Sequence, residues 1–360
     1  MKLRTAMMLA AAFAMTSGSV QAAAPDCDMK IISSIDVEID PGGGVLIPLQ
    51  VNGQEAWMVL RMGSGLPTIF PPSVAYLGLK PTGVHDMKFM VDDVRVDKKV
   101  KVGHIVIGKV DFTDWDMYVL PERGGAGARL QMYHGKPVLG NLTSRFMQVV
   151  DVELNLAEKK MNFFTLTRCQ GRAVYWGGEF TAVPIYSDRS GLMAFPMELD
   201  GKAVETSFAT GSRFSMLDAA VTRKFYGFDE TSEGITREIL QGGREVSFRA
   251  MALSAKGLAV NNARVQLFSG KGKQCGLGNS RQQATGSHVQ AQRESGAIGY
   301  TDCINITPFA IGTDLLRKLR IYIAPKEHTI YFTRADSAVP SGAPAATAAG
   351  SGGSEVGASR

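Results

Sequence analysis

Trp57-Met58-Val59-Leu60-Arg61-Met62-Gly63-Ser64-Gly65-Leu66-Pro67-Thr68-Ile69-Phe70 is the stretch that decides the fold, because its pattern returns far downstream as Glu205-Thr206-Ser207-Phe208-Ala209-Thr210-Gly211-Ser212-Arg213-Phe214-Ser215-Met216-Leu217. The spacing is constant through Pro48/Pro196, Gly53/Gly201, Gly63/Gly211 and Ser64/Ser212, so each copy follows a Pro-x-x-x-(Asn/Asp)-Gly hairpin. Asn52-Gly53 and Asp200-Gly201 are strong two-residue turn dipeptides, since both central positions of such a turn need a positive φ. A repeat this long is no solenoid unit and reads as duplication of a whole domain. The chain is therefore expected to be two-lobed.

A hairpin, an apolar strand, x-x-Gly-Ser and a second apolar run together resemble the pepsin-like and retropepsin-like aspartic proteases, in their two-lobed single-chain form. The resemblance extends from about Val45 to Thr333. It implies an all-β fold of duplicated barrel lobes around a central cleft, with short helices. In that family each turn reads Asp-Thr-Gly-(Ser/Ala), and a later hydrophobic-hydrophobic-Gly element completes a psi-shaped loop. Val138-Leu139-Gly140 and Ala310-Ile311-Gly312 match that element, with Gly140 expected on Gly312. Gly63, Ser64, Gly211 and Ser212 keep the turns. Both catalytic Asp positions are replaced, by Arg61 and Ala209. Thr210 survives as one half of the family's interlobe grip, whereas Met62 has no hydroxyl to supply the other half.

Two close carboxylates share a proton, one acting as base on water and the other as acid on the scissile carbonyl. Ala209 cannot titrate, and the Arg61 guanidinium has no accessible basic lone pair. The resemblance thus implies a catalytically inactive homologue that binds a peptide or protein partner in the cleft. An active endopeptidase with relocated residues, for which Asp218 and Asp314 sit near the motif turns but out of the family's register, and a purely structural protein are the two alternatives. A buried guanidinium also demands an anionic partner.

Residues 1–22 combine Lys2 and Arg4, an apolar core and Val20-Gln21-Ala22, the pattern of a secretory signal peptide. The expectation is an exported protein, periplasmic or extracellular, with no stable membrane anchor after cleavage. The expected lobes are 23–172 and 173–334, followed by a disordered Ala/Gly/Ser/Pro tail at 335–360 that lacks the apolar area to fold. Loss of Lys2 and Arg4 leaves 37 basic against 34 acidic residues, a balance of +3 and no footprint for nucleic acid.

Cys27, Cys169, Cys275 and Cys303 in an exported chain suggest two disulfides, and three connectivities are formally open. Cys27 with Cys169 and Cys275 with Cys303 would each close within one lobe. Zinc-type Cys-x2-Cys spacing is absent, the histidines are scattered, and neither a cofactor nor a metal is expected. Residues 269–300 form a polar insertion, read as a tethered surface loop.

Overall fold

The computed structural model describes residues 30–84, 89–91, 94–121, 129–165, 175–176, 179–187, 192–240, 242–269, 277–279, 297–300 and 306–336. The leader, all four cysteines, most of the insertion and the tail beyond 336 lie outside the described residues. Ala335 and Asp336, assigned above to the tail, instead form a turn in which Ala335 N donates to Lys318 O at 3.0 Å.

The described chain is mostly β and folds as two lobes built alike. In the first, Val45–Val51 and Gln54–Arg61 form the predicted hairpin, with Asn52 at φ 48° and Gly53 at φ 82°. In the second, Met193–Leu199 and Lys202–Ala209 repeat it, with Asp200 at φ 45° and Gly201 at φ 73°. The first residue of each turn docks in the same way on a neighbouring strand. His104 N donates to Asn52 Oδ1 at 3.0 Å, and Ala252 N donates to Asp200 Oδ1 at 2.7 Å. This is why the turn dipeptides are Asn-Gly and Asp-Gly and not Gly-Gly: the side chain is used as well as the backbone.

Each lobe then threads a late strand between two early ones. Lys136–Thr143 runs parallel to Gln54–Arg61 and antiparallel to Thr68–Ile69. Phe309–Gly312 runs parallel to Lys202–Ala209 and antiparallel to Ser215–Asp218. These are the psi-shaped loops, and with them the fold is the two-lobed pepsin-like one. Pairing of Val45–Val51 with Lys98–Ile107 closes the first sheet, and pairing of Met193–Leu199 with Lys202–Ala209 closes the second.

The register corrects the expected match of Gly140 with Gly312. Thr143 pairs with Arg61 as Gly312 pairs with Ala209, and Gly140 pairs with Ile69 as Phe309 pairs with Leu217. The counterpart of Gly312 is therefore Thr143, three residues beyond Gly140. Both glycines answer to close backbone approach, but at different rungs. A Cβ on Gly140 would stand 2.1 Å from Thr68 O, and one on Gly312 would stand 2.3 Å from Phe214 C.

A six-stranded antiparallel sheet joins the lobes, in the order Ile31–Asp36, Lys160–Phe164, Asp151–Asn155, Leu319–Ala324, Thr329–Arg334, Thr181–Pro184. Its central pair matches Val152 with Ile323 and Leu154 with Ile321, so a pseudo-twofold axis passes between Glu153 and Tyr322. The turns agree with that axis: Lys159 and His328, in equivalent hairpins, have φ of 53° and 49°. Val152, Leu154, Ile321 and Ile323 are buried in the main core.

The polar residues of the same strands are buried as well. Glu153 is 2% exposed, accepts from Trp176 Nε1 at 3.1 Å, and has Arg320 Nε 3.8 Å away. Arg320 also donates to Glu158 Oε1 at 3.0 Å, and Tyr322 OH donates to Asp151 Oδ2 at 3.1 Å. Burial pushes the Glu153 carboxyl up, against hydrogen bonds from Tyr175 and Trp176 and the charge of Arg320.

That shift has a sign. Below its ordinary value of 4.5, Glu153 is protonated in both states and its favourable contribution is complete. Above that value the unfolded chain ionises first, so stability falls as pH rises towards the raised folded value. Urea unfolding as a function of pH should show this fall, and Glu153→Gln should flatten it. An unchanged pH slope in the variant would remove Glu153 as its source.

Candidate functional site

The two Gly-Ser turns meet at the interlobe boundary. Ser64 N donates to Arg61 O at 3.1 Å, and Ser212 N donates to Ala209 O at 2.9 Å, so the turns share one backbone geometry despite their different first residues. They pack against each other closely: a Cβ on Gly63 would lie 2.5 Å from Phe208 O. Only glycine fits there, because the obstacle is backbone.

Thr210 fastens the turns together. Its Oγ1 accepts from Met62 N at 3.0 Å and donates to Leu60 O at 2.6 Å. Thr210 and Met62 are both fully buried. The hydroxyl thus satisfies a donor and an acceptor of the other lobe, as the surviving half of the grip should, while Met62 sits in the hydrophobic core. Val45 N adds a bond to Thr210 O at 2.8 Å.

Above this junction lies a pocket of about 250 Å³. Arg61, Gly63 and Ser64 form its first-lobe wall, and Ser207 to Ser212 with Met216, Ile306, Thr307 and Ala310 form the rest. Arg61 is half-buried and engaged within the protein. Its stem crosses to the opposite turn, where a Cβ on Gly211 would come 3.0 Å from Nε and 3.4 Å from Cγ. Arg61 and Ala209 therefore face one shared pocket, as their places in the repeat imply. Among the described residues the lining contains no Asp or Glu.

The two nearby carboxylates are committed elsewhere. Asp218 caps a short helix, with Ala220 N donating to its Oδ1 at 2.7 Å. Asp314 Oδ1 receives Ser215 N at 3.1 Å, Ser215 Oγ at 2.8 Å and Leu315 N at 2.8 Å. Burial raises the Asp314 carboxyl, and those hydrogen bonds oppose the rise. Neither Asp lines the pocket.

Ser207, Ile306 and Thr307 escaped the sequence reading. Ser207 lies within the quoted repeat, but its role emerges only from its bond to Thr307: Thr307 Oγ1 donates to Phe309 O at 2.7 Å, which leaves Ser207 Oγ to donate across 2.8 Å to Thr307 Oγ1. Ile306 and Thr307 follow the insertion. The described part of that insertion pairs Leu277–Asn279 with Ile298–Tyr300, which joins Lys202–Ala209 at Val204. The insertion is thus tied to the lobe-two sheet beside the pocket strand.

No family model matches the chain, and no curated protein matches it. Among solved structures, it is similar to basic 7S globulin from soybean at 7% identity and a TM-score of 0.43, over 86% of this chain and 96% of that one. It is similar also to conglutin gamma, a basic 7S globulin from lupine seeds, at 9% identity and a TM-score of 0.40, over 87% of this chain and 96% of that one. Among the described residues no helix is long and apolar enough to cross a membrane.

Thr210 gives the junction a direct test. Thr210→Val removes the hydroxyl and strands Met62 N–H and Leu60 C=O in the core, for an expected loss of about 2–4 kcal/mol. Thr210→Ser keeps both bonds and should stay within about 1 kcal/mol of the parent. Equal stability of the two variants in chemical denaturation would show that the hydroxyl bridge is not what holds the turns.

Proposed function

We propose that this chain is a proteolytically inactive homologue of the two-lobed aspartic proteases, and that it binds an extended peptide or a protein segment in the interlobe cleft. The observation that carries the reading is the pairing of Arg61 and Ala209 around a pocket whose described walls carry no carboxylate. Without a dyad there is neither a base for water nor an acid for the carbonyl. The engagement of Asp218 and Asp314 in structural hydrogen bonds weighs against a relocated dyad. An open pocket of about 250 Å³ favours ligand binding over a plugged, purely structural interface. Export to the periplasm or beyond belongs to the same proposal and rests on the leader-like sequence of residues 1–22.

The expected outcome with the purified protein is no cleavage of a mixed peptide pool from about pH 3 to pH 7, where carboxylate dyads usually work. Arg61→Asp with Ala209→Asp together should give weak turnover, and each change alone should give none. Ala209→Asp alone would place a carboxylate beside Arg61, and the cation would hold it ionised and paired. Robust cleavage by the unmodified protein, abolished by Asp314→Asn or Asp218→Asn, would refute the proposal.

A further inference from the structure

A larger cavity, of about 530 Å³, shares no described lining residue with the pocket between the turns. Four segments meet around it. The turn between Asp151–Asn155 and Lys160–Phe164 supplies Ala157, and the Leu258–Phe268 arm of a lobe-two hairpin supplies Val260 and Asn261. The residues after the Thr313–Leu316 helix supply Arg317 and Lys318, and the end of the Thr329–Arg334 strand supplies Arg334, Ala335 and Asp336. These last two segments are fixed to each other, since Leu319 pairs with Arg334 and Ala335 N donates to Lys318 O at 3.0 Å. Folding thus brings three cations to one concave wall, with Asp336 as the sole carboxylate among its described residues.

That carboxylate does not neutralise the wall. It is clamped to Arg334, whose Nε lies 3.2 Å from Oδ1 and whose Nη2 lies 3.4 Å from Oδ2. The clamp fixes the plane of the guanidinium and uses two of its five N–H groups. Lys318 acts by charge on Asp314, but that carboxylate already accepts from Ser215 and Leu315 and does not line the cavity. Among the described residues Arg317 has neither an ion pair nor a side-chain hydrogen bond. Three cations against one carboxylate give the wall a net charge of +2.

Charge and size together select a ligand class. A doubly charged group with three acceptor oxygens matches the wall, and near neutral pH that group is a phosphate monoester. A carboxylate would bring half the charge. The volume falls within the roughly 300–1,000 Å³ that encloses a small organic ligand, so there is room for the carrier as well as the phosphate. Methyl groups of Ala157, Val260 and Ala335 and the Asn261 amide line the remainder. No described lining residue is aromatic, so a nucleobase would find nothing to stack on. We propose that this cavity binds a small non-aromatic phosphomonoester, of the glycerol or sugar phosphate kind, with the phosphate held by Arg317, Lys318 and Arg334. Neither the site nor its test depends on the cleft reading above.

The test is a calorimetric titration of the full mature chain with glycerol 3-phosphate, its methyl phosphodiester, glycerol and sulfate at low salt. The monoester should bind at least about tenfold more tightly than the diester, which carries one charge fewer, and glycerol should not bind. Combining Arg317→Gln with Lys318→Gln should weaken the monoester by at least about tenfold. Lys256→Gln, which removes a cation outside this cavity, should leave its binding unchanged. Sulfate binding as tightly as the monoester would mean an adventitious ion only, and equal binding of monoester and diester would mean general attraction of anions. Either result overturns the proposal. So would full affinity in the double variant, or the absence of saturable binding by the parent protein. Binding of phosphatidate vesicles without binding of glycerol 3-phosphate would contradict it too, by assigning the phosphate to a lipid surface. Arg317 and Lys318 are exposed, so their substitution should not unfold the chain, and the ligand series on the parent protein decides the matter in any case.

Discussion

One hydroxyl sets the geometry on which the cleft depends. Thr210 Oγ1 takes a proton from Met62 N and gives one to Leu60 O, across the boundary between lobes and without access to water. An unmade hydrogen bond in such a place costs more than a made one contributes, so the two strands have little freedom to slide. Gly63 then packs against Phe208 O, and Arg61 is laid over Gly211. Arg61 thereby comes to line the pocket between the turns.

The rest of the molecule is close to twofold in design, and its departures from symmetry gather near the pocket. Hairpins, turn residues, psi-shaped strands and the joining sheet recur, apart from a register shift between Val138 and Asn141 in the first lobe. Arg61 against Ala209, Met62 against Thr210 and Thr143 against Gly312 do not. The first difference sets a guanidinium in one turn opposite a methyl group in the other. The second leaves one hydroxyl bridge where two would be symmetric. Lobe two alone carries the insertion that leads into Ile306 and Thr307, and among the described lining residues that lobe contributes the apolar side chains while Arg61 and Ser64 come from the other.

Much of this was legible in the residues. Asn-Gly and Asp-Gly turns, apolar alternation and the paired Gly-Ser motifs have short-range causes, and they located the hairpins, the turns and the surviving Thr210. The match of Gly140 with Gly312 failed because glycine marks close backbone approach without saying on which rung it occurs. The Asp151-Val152-Glu153-Leu154-Asn155 alternation would ordinarily mean a solvated face, yet Tyr175 and Trp176 cover it, a long-range event that leaves no local pattern. Ser207, Ile306 and Thr307 are unremarkable in sequence for the same reason: only the fold brings them to Arg61.

The most direct test of the central claim is a crystal structure of the protein with an extended peptide bound. The expected result is an intact peptide lying between the Gly63 and Gly211 turns. A peptide seated elsewhere, or cleaved fragments in the cleft, would contradict it.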